Sequence, residues 1–241
     1  MRKASSYYLA KLRISMSGSE LYKIKLVIFD IDGTLLKLPI RWSEALAHVA
    51  KLYRTKKKFL GLLAEIEGKE IFDRINRILE RYELEASENP VLYEDVQRTV
   101  EGLSKNFVLA YVTMQSRIAA RRVLERAGLA KYAKCLVTRE DAAVRLKQIL
   151  LVTKRLGFRA EETVFVGDKL NDVCSALVAK IQPILVVRGE FHSRISDTDD
   201  LEEDLEALGV PVVSTLDEVP RLITEFSKHG PLCISCRSIS T

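Results

Sequence analysis

The chain has 241 residues, 47% of them apolar and 29% charged, which are the proportions of a soluble globular protein with room for one core domain and a smaller insert. No apolar run approaches the ~20 residues of a membrane span, and the charged N-terminus lacks the apolar stretch of a secretory signal, so a cytoplasmic protein with no membrane partner is expected. The net charge of +5 arises within residues 1–25, where Arg2, Lys3, Lys11, Arg13, Lys23 and Lys25 stand against Glu20 alone. Six cations less one acid leave the remainder neutral, which argues against a nucleic-acid-binding face.

Residues 1–20 read as an N-terminal extension expected to be flexible, with Met16 an alternative start. From Lys25 the run Leu26-Val27-Ile28-Phe29 predicts a strand buried on both faces. It stops at Asp30, followed by Asp32 and by Gly33, where the chain can turn out of the sheet. Pro39 delays any helix. Three amphipathic segments follow: Trp42, Leu46, Val49 and Tyr53; then Phe59, Leu60, Leu63 and Ile66; then Ile71, Phe72, Ile75, Ile78, Leu79 and Tyr82. The polar stretch Glu85–Pro90 reads as a linker. Residues 40–89 are thus predicted to be a small all-helical block that buries its stripes within itself.

Beyond Pro90 strands and helices alternate. A helix is expected over Tyr93–Ser104 and a strand over Asn106–Val112, ending at Thr113. Ser116 is a candidate N-cap for a helix that Gly128 stops. A third strand is expected at Lys134–Val137, a helix at Asp141–Leu156, a fourth strand at Thr163–Val166 ending in Gly167-Asp168, and a fifth at Pro183–Val187. An edge strand at Val210–Val213 and a helix at Asp217–Phe226 complete the order. Such alternation predicts an α/β fold with a doubly wound parallel sheet, built from residues 21–39 and 90–228, with a flexible tail at 229–241. Cys135 and Cys174 read as small packing residues. Cys233 and Cys236 form a lone C-x-x-C without the second pair a zinc site requires.

Right-handed crossovers place the carboxyl ends of parallel strands on one rim, where α/β proteins bind ligands. That rim collects Asp30 and Asp32 from the first strand, Thr113 from the second, and Asp168 with Asp172 from the fourth. Arg145 and Lys147 precede that strand. Each aspartate alone would suit a turn or a helix start. Four converging carboxylates repel one another unless a cation lies among them, and the hard oxygen set points to Mg²⁺.

Asp30-Ile31-Asp32-Gly33-Thr34-Leu35 resembles the first motif of the haloacid dehalogenase-like phosphohydrolase superfamily. Thr113 after an apolar strand resembles its second motif, and Gly167-Asp168-Lys169-Leu170-Asn171-Asp172 its fourth. The third motif, a Lys or Arg on the helix before the fourth strand, falls to Lys147, with Arg145 and then Lys154 behind it. The resemblance implies Asp30 as nucleophile of an aspartyl-phosphate intermediate and Asp32 as general acid/base. It implies Mg²⁺ at Asp30, Asp32, Asp168 and Asp172, and phosphate held by Gly33, Thr113 and Lys147 or Arg145. The acid at Asp32 favours phosphate esters over the dehalogenase branch. The helical block at 40–89 resembles the small cap of the phosphoglycolate phosphatase and β-phosphoglucomutase branch, and Arg41 at its hinge is a candidate contact for an anionic substrate. The expected protein is a Mg²⁺-dependent phosphatase of a small phosphorylated metabolite, monomeric or homodimeric. The alternatives are a sugar-phosphate mutase or phosphotransferase, and a non-catalytic binding protein that keeps the fold.

Overall fold

The computed structural model describes residues 23–188, 204–205 and 207–230. The expected N-terminal extension and most of the expected C-terminal tail, with the Cys233/Cys236 pair, lie outside the described residues.

A six-stranded parallel sheet forms the centre, built from β1 (Leu26–Asp30), β4 (Val108–Val112), β5 (Ala133–Val137), β6 (Thr163–Gly167), β7 (Gln182–Val186) and β8 (Val212–Val213), in the order β5-β4-β1-β6-β7-β8. β1 pairs with β4 from Leu26↔Val108 to Asp30↔Val112 and with β6 from Leu26↔Thr163 to Phe29↔Val166. Winding therefore reverses at β1, and the crevice at that reversal is where a doubly wound sheet accepts a ligand.

Period-two alternation covers both faces of the sheet. Val27, Phe29, Leu109, Tyr111, Val164 and Val166 pack under α4 (Val96–Ser104), α5 (Arg117–Arg126) and α8 (Val219–His229). Leu26, Ile28, Ala110, Val112 and Phe165 face Ile149 and Val152 of α6 (Arg145–Leu156) and Ala176 of α7 (Leu170–Val178). Continuous buried apolar runs such as Leu26–Phe29 and Leu109–Val112 are what such two-sided cover demands. The Ser116 hydroxyl caps α5 by accepting from the Ala119 amide at 3.2 Å, and Gly157, at φ 73°, closes α6 in the left-handed conformation.

Between β1 and β4 lie α1 (Trp42–Leu52), α2 (Phe59–Ile66) and α3 (Ile71–Ala86). Their buried residues Ala45, Val49, Leu62, Leu63, Ile66, Ile75, Leu79 and Tyr82 pack together and against Met114 and Ala143 of the sheet-bearing part. The chain leaves for these helices and returns from them along a two-stranded antiparallel ribbon, β2 (Leu36–Lys37) with β3 (Val91–Leu92). Periodicity over two residues carries no signal, and the ribbon was not expected.

Two helices start later than the sequence predicts. α4 begins at Val96 because Tyr93 is still extended, its amide donating to the Leu35 carbonyl at 3.4 Å. α6 begins at Arg145 because Asp141 closes a turn first, its carboxylate accepting from the Thr138 amide at 3.0 Å. A local side-chain bond such as that of Asp141 competes with helix formation. The last helix extends through His229, into the segment expected to be tail.

Candidate active site

The rim residues converge at the carboxyl ends of β1, β4 and β6. Asp30 ends β1 with its side chain buried, and Asp172 is buried in the first turn of α7, where a carboxylate meets the positive end of the helix. Carboxylate oxygens of Asp30, Asp168 and Asp172 lie within 4.8 Å of one another. Glycine makes this approach feasible. Gly33 has φ +99°, and a Cβ there would lie 2.1 Å from Asp168 Oδ2. At Gly167 a Cβ would lie 2.5 Å from Asp172 Oδ2.

Two cations enter the cluster. The Arg145 guanidinium, buried at the first position of α6, donates from Nη2 to Asp30 Oδ1 and sets Nε 2.7 Å from Asp172 Oδ1, a charge contact without hydrogen-bond alignment. A cation opposes the dipole at a helix N-terminus, and here the two acids supply the compensation. Burial pulls the Arg145 pKa down, yet the charges of Asp172 and Asp30 outweigh it and leave it above the ordinary value. Gln148 accepts from Arg145 Nη1 at 2.8 Å and donates to the Thr113 carbonyl at 2.8 Å, which ties the arginine to the end of β4. The second cation, Lys169, donates from Nζ to Asp168 Oδ1 at 3.0 Å and to the Asp32 carbonyl at 3.2 Å.

Burial is the main cause that raises the Asp168 pKa to about 7, with the negative charges of Asp30 and Asp172 adding to it and Lys169 opposing. Asp32 is raised to about 6, first by burial and then by Asp30 and Glu83, against Lys169 and the Leu38 amide that donates to its Oδ1 at 3.0 Å. Asp172 is also raised by burial, Arg145 pulling the other way.

Several expected residues stand elsewhere or act otherwise. Lys147, the first choice for the third motif, turns away. Its ammonium pairs with Glu67 on the insert and its side chain is 60% exposed. Arg145 sits two residues earlier on α6 and therefore on a different face of the helix, the face toward the sheet. The Gly33 amide is engaged inside the turn, donating to the Leu36 carbonyl at 2.8 Å, so the glycine serves the approach of Asp168. The Thr113 hydroxyl is buried and accepts from the Gln115 amide at 3.1 Å. Arg41 is exposed and held by Glu44 and Glu85. The family resemblance assigns Lys169 no role, although a lysine directly after a strand-end aspartate shares its rim. Arg188, which clamps Asp95 and donates to the Thr34 carbonyl at 2.9 Å, fixes the turn after β1 and had no sequence signal.

The donor set suits a hard divalent cation. Four carboxylates, Asp30, Asp32, Asp168 and Asp172, face two cations, Arg145 and Lys169, which leaves two negative charges when all are ionised. Asp30 Oδ2 is buried without a hydrogen-bond partner, a state that calls for an ion or a ligand.

Residues 27–186 match the haloacid dehalogenase-like hydrolase family. The chain belongs to that family. Curated relatives include a phosphoglycolate phosphatase of Salmonella typhimurium, 26% identical over 80% of this chain and 95% of its own. A PpaX pyrophosphatase of Oceanobacillus iheyensis is 25% identical over 68% of this chain and 83% of its own. Among solved structures, a HAD phosphatase from Thermococcus onnurineus shares 24% identity, covering 83% of this chain and 98% of that one with a TM-score of 0.54. A 2-haloacid dehalogenase from Pseudomonas syringae pv. Tomato shares 20%, over 84% and 99%, with a TM-score of 0.55. The fold is thus common to both chemistries, and the chain is a hydrolase whose curated relatives carry phosphatase names. No described helix is long and apolar enough to cross a membrane.

Proposed function

We propose that the chain is a Mg²⁺-dependent phosphatase acting on a small anionic phosphate ester, with Asp30 as the nucleophile. The observation that carries the reading is the Asp30–Asp168–Asp172 cluster, which with Asp32 beside it and Arg145 and Lys169 against it is left two charges negative. A divalent ion held by the Asp30 carboxylate, the Asp32 carbonyl and Asp168 would supply charge neutralisation for the phosphoryl oxygens.

In the first half of the reaction an Asp30 oxygen attacks phosphorus, the bond from phosphorus to the leaving oxygen breaks, and Asp32 gives that oxygen a proton. In the second half the Asp32 carboxylate takes a proton from water, whose oxygen attacks the phosphorus of the aspartyl phosphate and frees Asp30 and inorganic phosphate. An Asp32 pKa of about 6 suits both duties near neutral pH. Arg145 fixes the Asp30 carboxylate and offers charge to the phosphoryl oxygens, and Thr113 lies at the adjoining strand end. Residues 40–89 act as a cap over the rim, with the core formed by 21–39 and 90–228. A cap on that side admits small substrates, the class that the names of the phosphoglycolate phosphatase and pyrophosphatase relatives indicate.

The test is phosphate release from a panel of small esters with Mg²⁺, for the wild type and Asp30→Asn. Wild-type release that EDTA stops, with Asp30→Asn at background, is the expected result. Undiminished release by Asp30→Asn would overturn the covalent route, and no wild-type release from any ester would overturn the phosphatase reading.

A further inference from the structure

Lys169 has no step in the reaction above, yet its ammonium makes two specific contacts inside the acid cluster. Its side chain keeps 46% of its surface open, so it is free to extend into water as most lysines do. It folds back instead and donates to Asp168 Oδ1 at 3.0 Å and to the Asp32 carbonyl at 3.2 Å. The backbone carbonyl is the telling partner. It bears no net charge, so general attraction between a lysine and nearby acids does not select it. A compact cation that gathers oxygen atoms does. These two oxygens, with Asp30, are the set proposed above for the divalent ion.

We infer that the Lys169 ammonium occupies the divalent-cation position in the metal-free protein and is displaced when the metal binds. The two cannot share the oxygens. Mg²⁺ requires its ligands at about 2.0–2.1 Å in a near-octahedral shell, and an ammonium within hydrogen-bond distance of the same atoms would meet it at strongly repulsive range. Arg145 differs from Lys169 in this respect. It is buried, held by Asp30, Gln148 and Asp172, and has no open path outward. Lys169 stands at the mouth, on a four-carbon tether, and swings out without disturbing the helix it caps. Metal affinity is therefore set by competition with a built-in cation, which offsets part of the acids' charge while the metal is absent.

The inference rests on the divalent site proposed for this reaction, and one titration separates the two. Mg²⁺ is titrated calorimetrically at pH 8 into metal-free wild type, Lys169→Met and Lys169→Gln, and melting temperatures are read with and without saturating Mg²⁺. Both variants are expected to bind Mg²⁺ more tightly than the wild type, by roughly tenfold, a factor equal to about 1.4 kcal/mol. They are also expected to melt lower than the wild type without metal and to gain more from it. In the wild type, the ε-methylene NMR signal of Lys169 should move on metal binding. Equal or weaker Mg²⁺ affinity in both variants would overturn the displacement while leaving the metal site intact. Absence of Mg²⁺ binding in all three proteins would overturn the metal site and this inference with it.

Discussion

Two arginines lie buried near the rim, and their surroundings differ. Arg139, after β5, is fully buried against a fully buried Glu83 of α3. It also donates to the Met114 carbonyl at 2.9 Å and to both oxygens of Asn76, while the other Glu83 oxygen accepts from the Ser116 amide at 2.9 Å. One positive charge meets one negative charge. No side-chain atom of Arg139 or Glu83 is among the buried polar atoms left without a partner. Arg145 has two carboxylates within reach and two more near by, with Asp30 Oδ2 unpartnered. A closed pair joins parts of a fold, whereas an open one awaits another charge. Arg139 ties the insert to the loop after Thr113, so the position of α3 is coupled to the end of β4.

The largest effect on stability should follow from opening the closed pair. Arg139→Met leaves Glu83 buried and uncompensated, with an expected loss of about 3–5 kcal/mol by denaturant unfolding. Replacing both partners, Arg139→Met with Glu83→Leu, should recover most of that loss, because an apolar pair of similar volume removes the stranded charge. A double variant as unstable as the single would show that the hydrogen bonds to Asn76 and Met114, rather than the charge, hold the insert. Arg145→Met should do the reverse. Its carboxylates can take up protons or metal, so the fold is retained, while turnover falls about 10²–10³-fold as for the loss of one charge-stabilising donor. Loss of folding in Arg145→Met with saturating Mg²⁺ would erase the distinction between the two arginines.

The parts of this site that the sequence discloses are those tied to backbone position. Asp30, Asp32, Thr113 and Asp168 follow apolar runs long enough to be strands, and parallel winding alone brings their ends to one rim. The helical insert is visible for the same reason, through its 3.6-residue stripes. What depends on side-chain direction is not legible. Lys147 and Arg145 are two residues apart on one helix, about 200° of rotation, and choosing between them requires the helix to start at Arg145 rather than Asp141. The Arg139–Glu83 pair spans 56 residues and two separate parts of the fold, and nothing in either local pattern pairs them. Lys169 directly follows Asp168 in the sequence, but only geometry shows it folded onto the Asp32 carbonyl.

A smaller effect distinguishes the two regions by pH. Asp168, at about 7, and Asp32, at about 6, hold protons in the folded state that an ordinary carboxyl releases near 3.8. Between about pH 4 and 7 the folded protein therefore binds more protons than the unfolded chain, and stability falls as pH rises through that window. Glu162, drawn down to about 2 mainly by Lys25, acts oppositely, but its contribution is lost only as pH falls through the acid range below that window. Melting temperatures of the metal-free protein should decline from pH 5 to pH 8, and Asp168→Asn should flatten the decline. Saturating Mg²⁺ should oppose it, because metal binding requires the ionised acids. A profile that rises over this range, or one that Asp168→Asn leaves unchanged, would contradict the proposed burial of charge at the rim.

The smallest effect tests which basic residue serves the site. Lys147 and Glu67 form an ion pair between α6 and the insert, with the lysine mostly in water. Glu67 also accepts from the Ala143 amide at 3.0 Å, so it stays tethered to the loop before α6 when the lysine is removed. An exposed pair of this sort contributes about 0–1 kcal/mol, and Lys147→Ala should lower stability by no more than that. Its kcat should match the wild type, since no part of the side chain reaches Asp30. If Lys147 instead turned inward to bind phosphate during turnover, Lys147→Ala would lose catalysis on the scale expected of Arg145→Met, and Glu67→Gln, which frees the lysine from its partner, would raise activity. The contrast in kcat between Lys147→Ala and Arg145→Met therefore assigns the cation of the third motif by measurement, with the stability of both variants as the check that each remains folded.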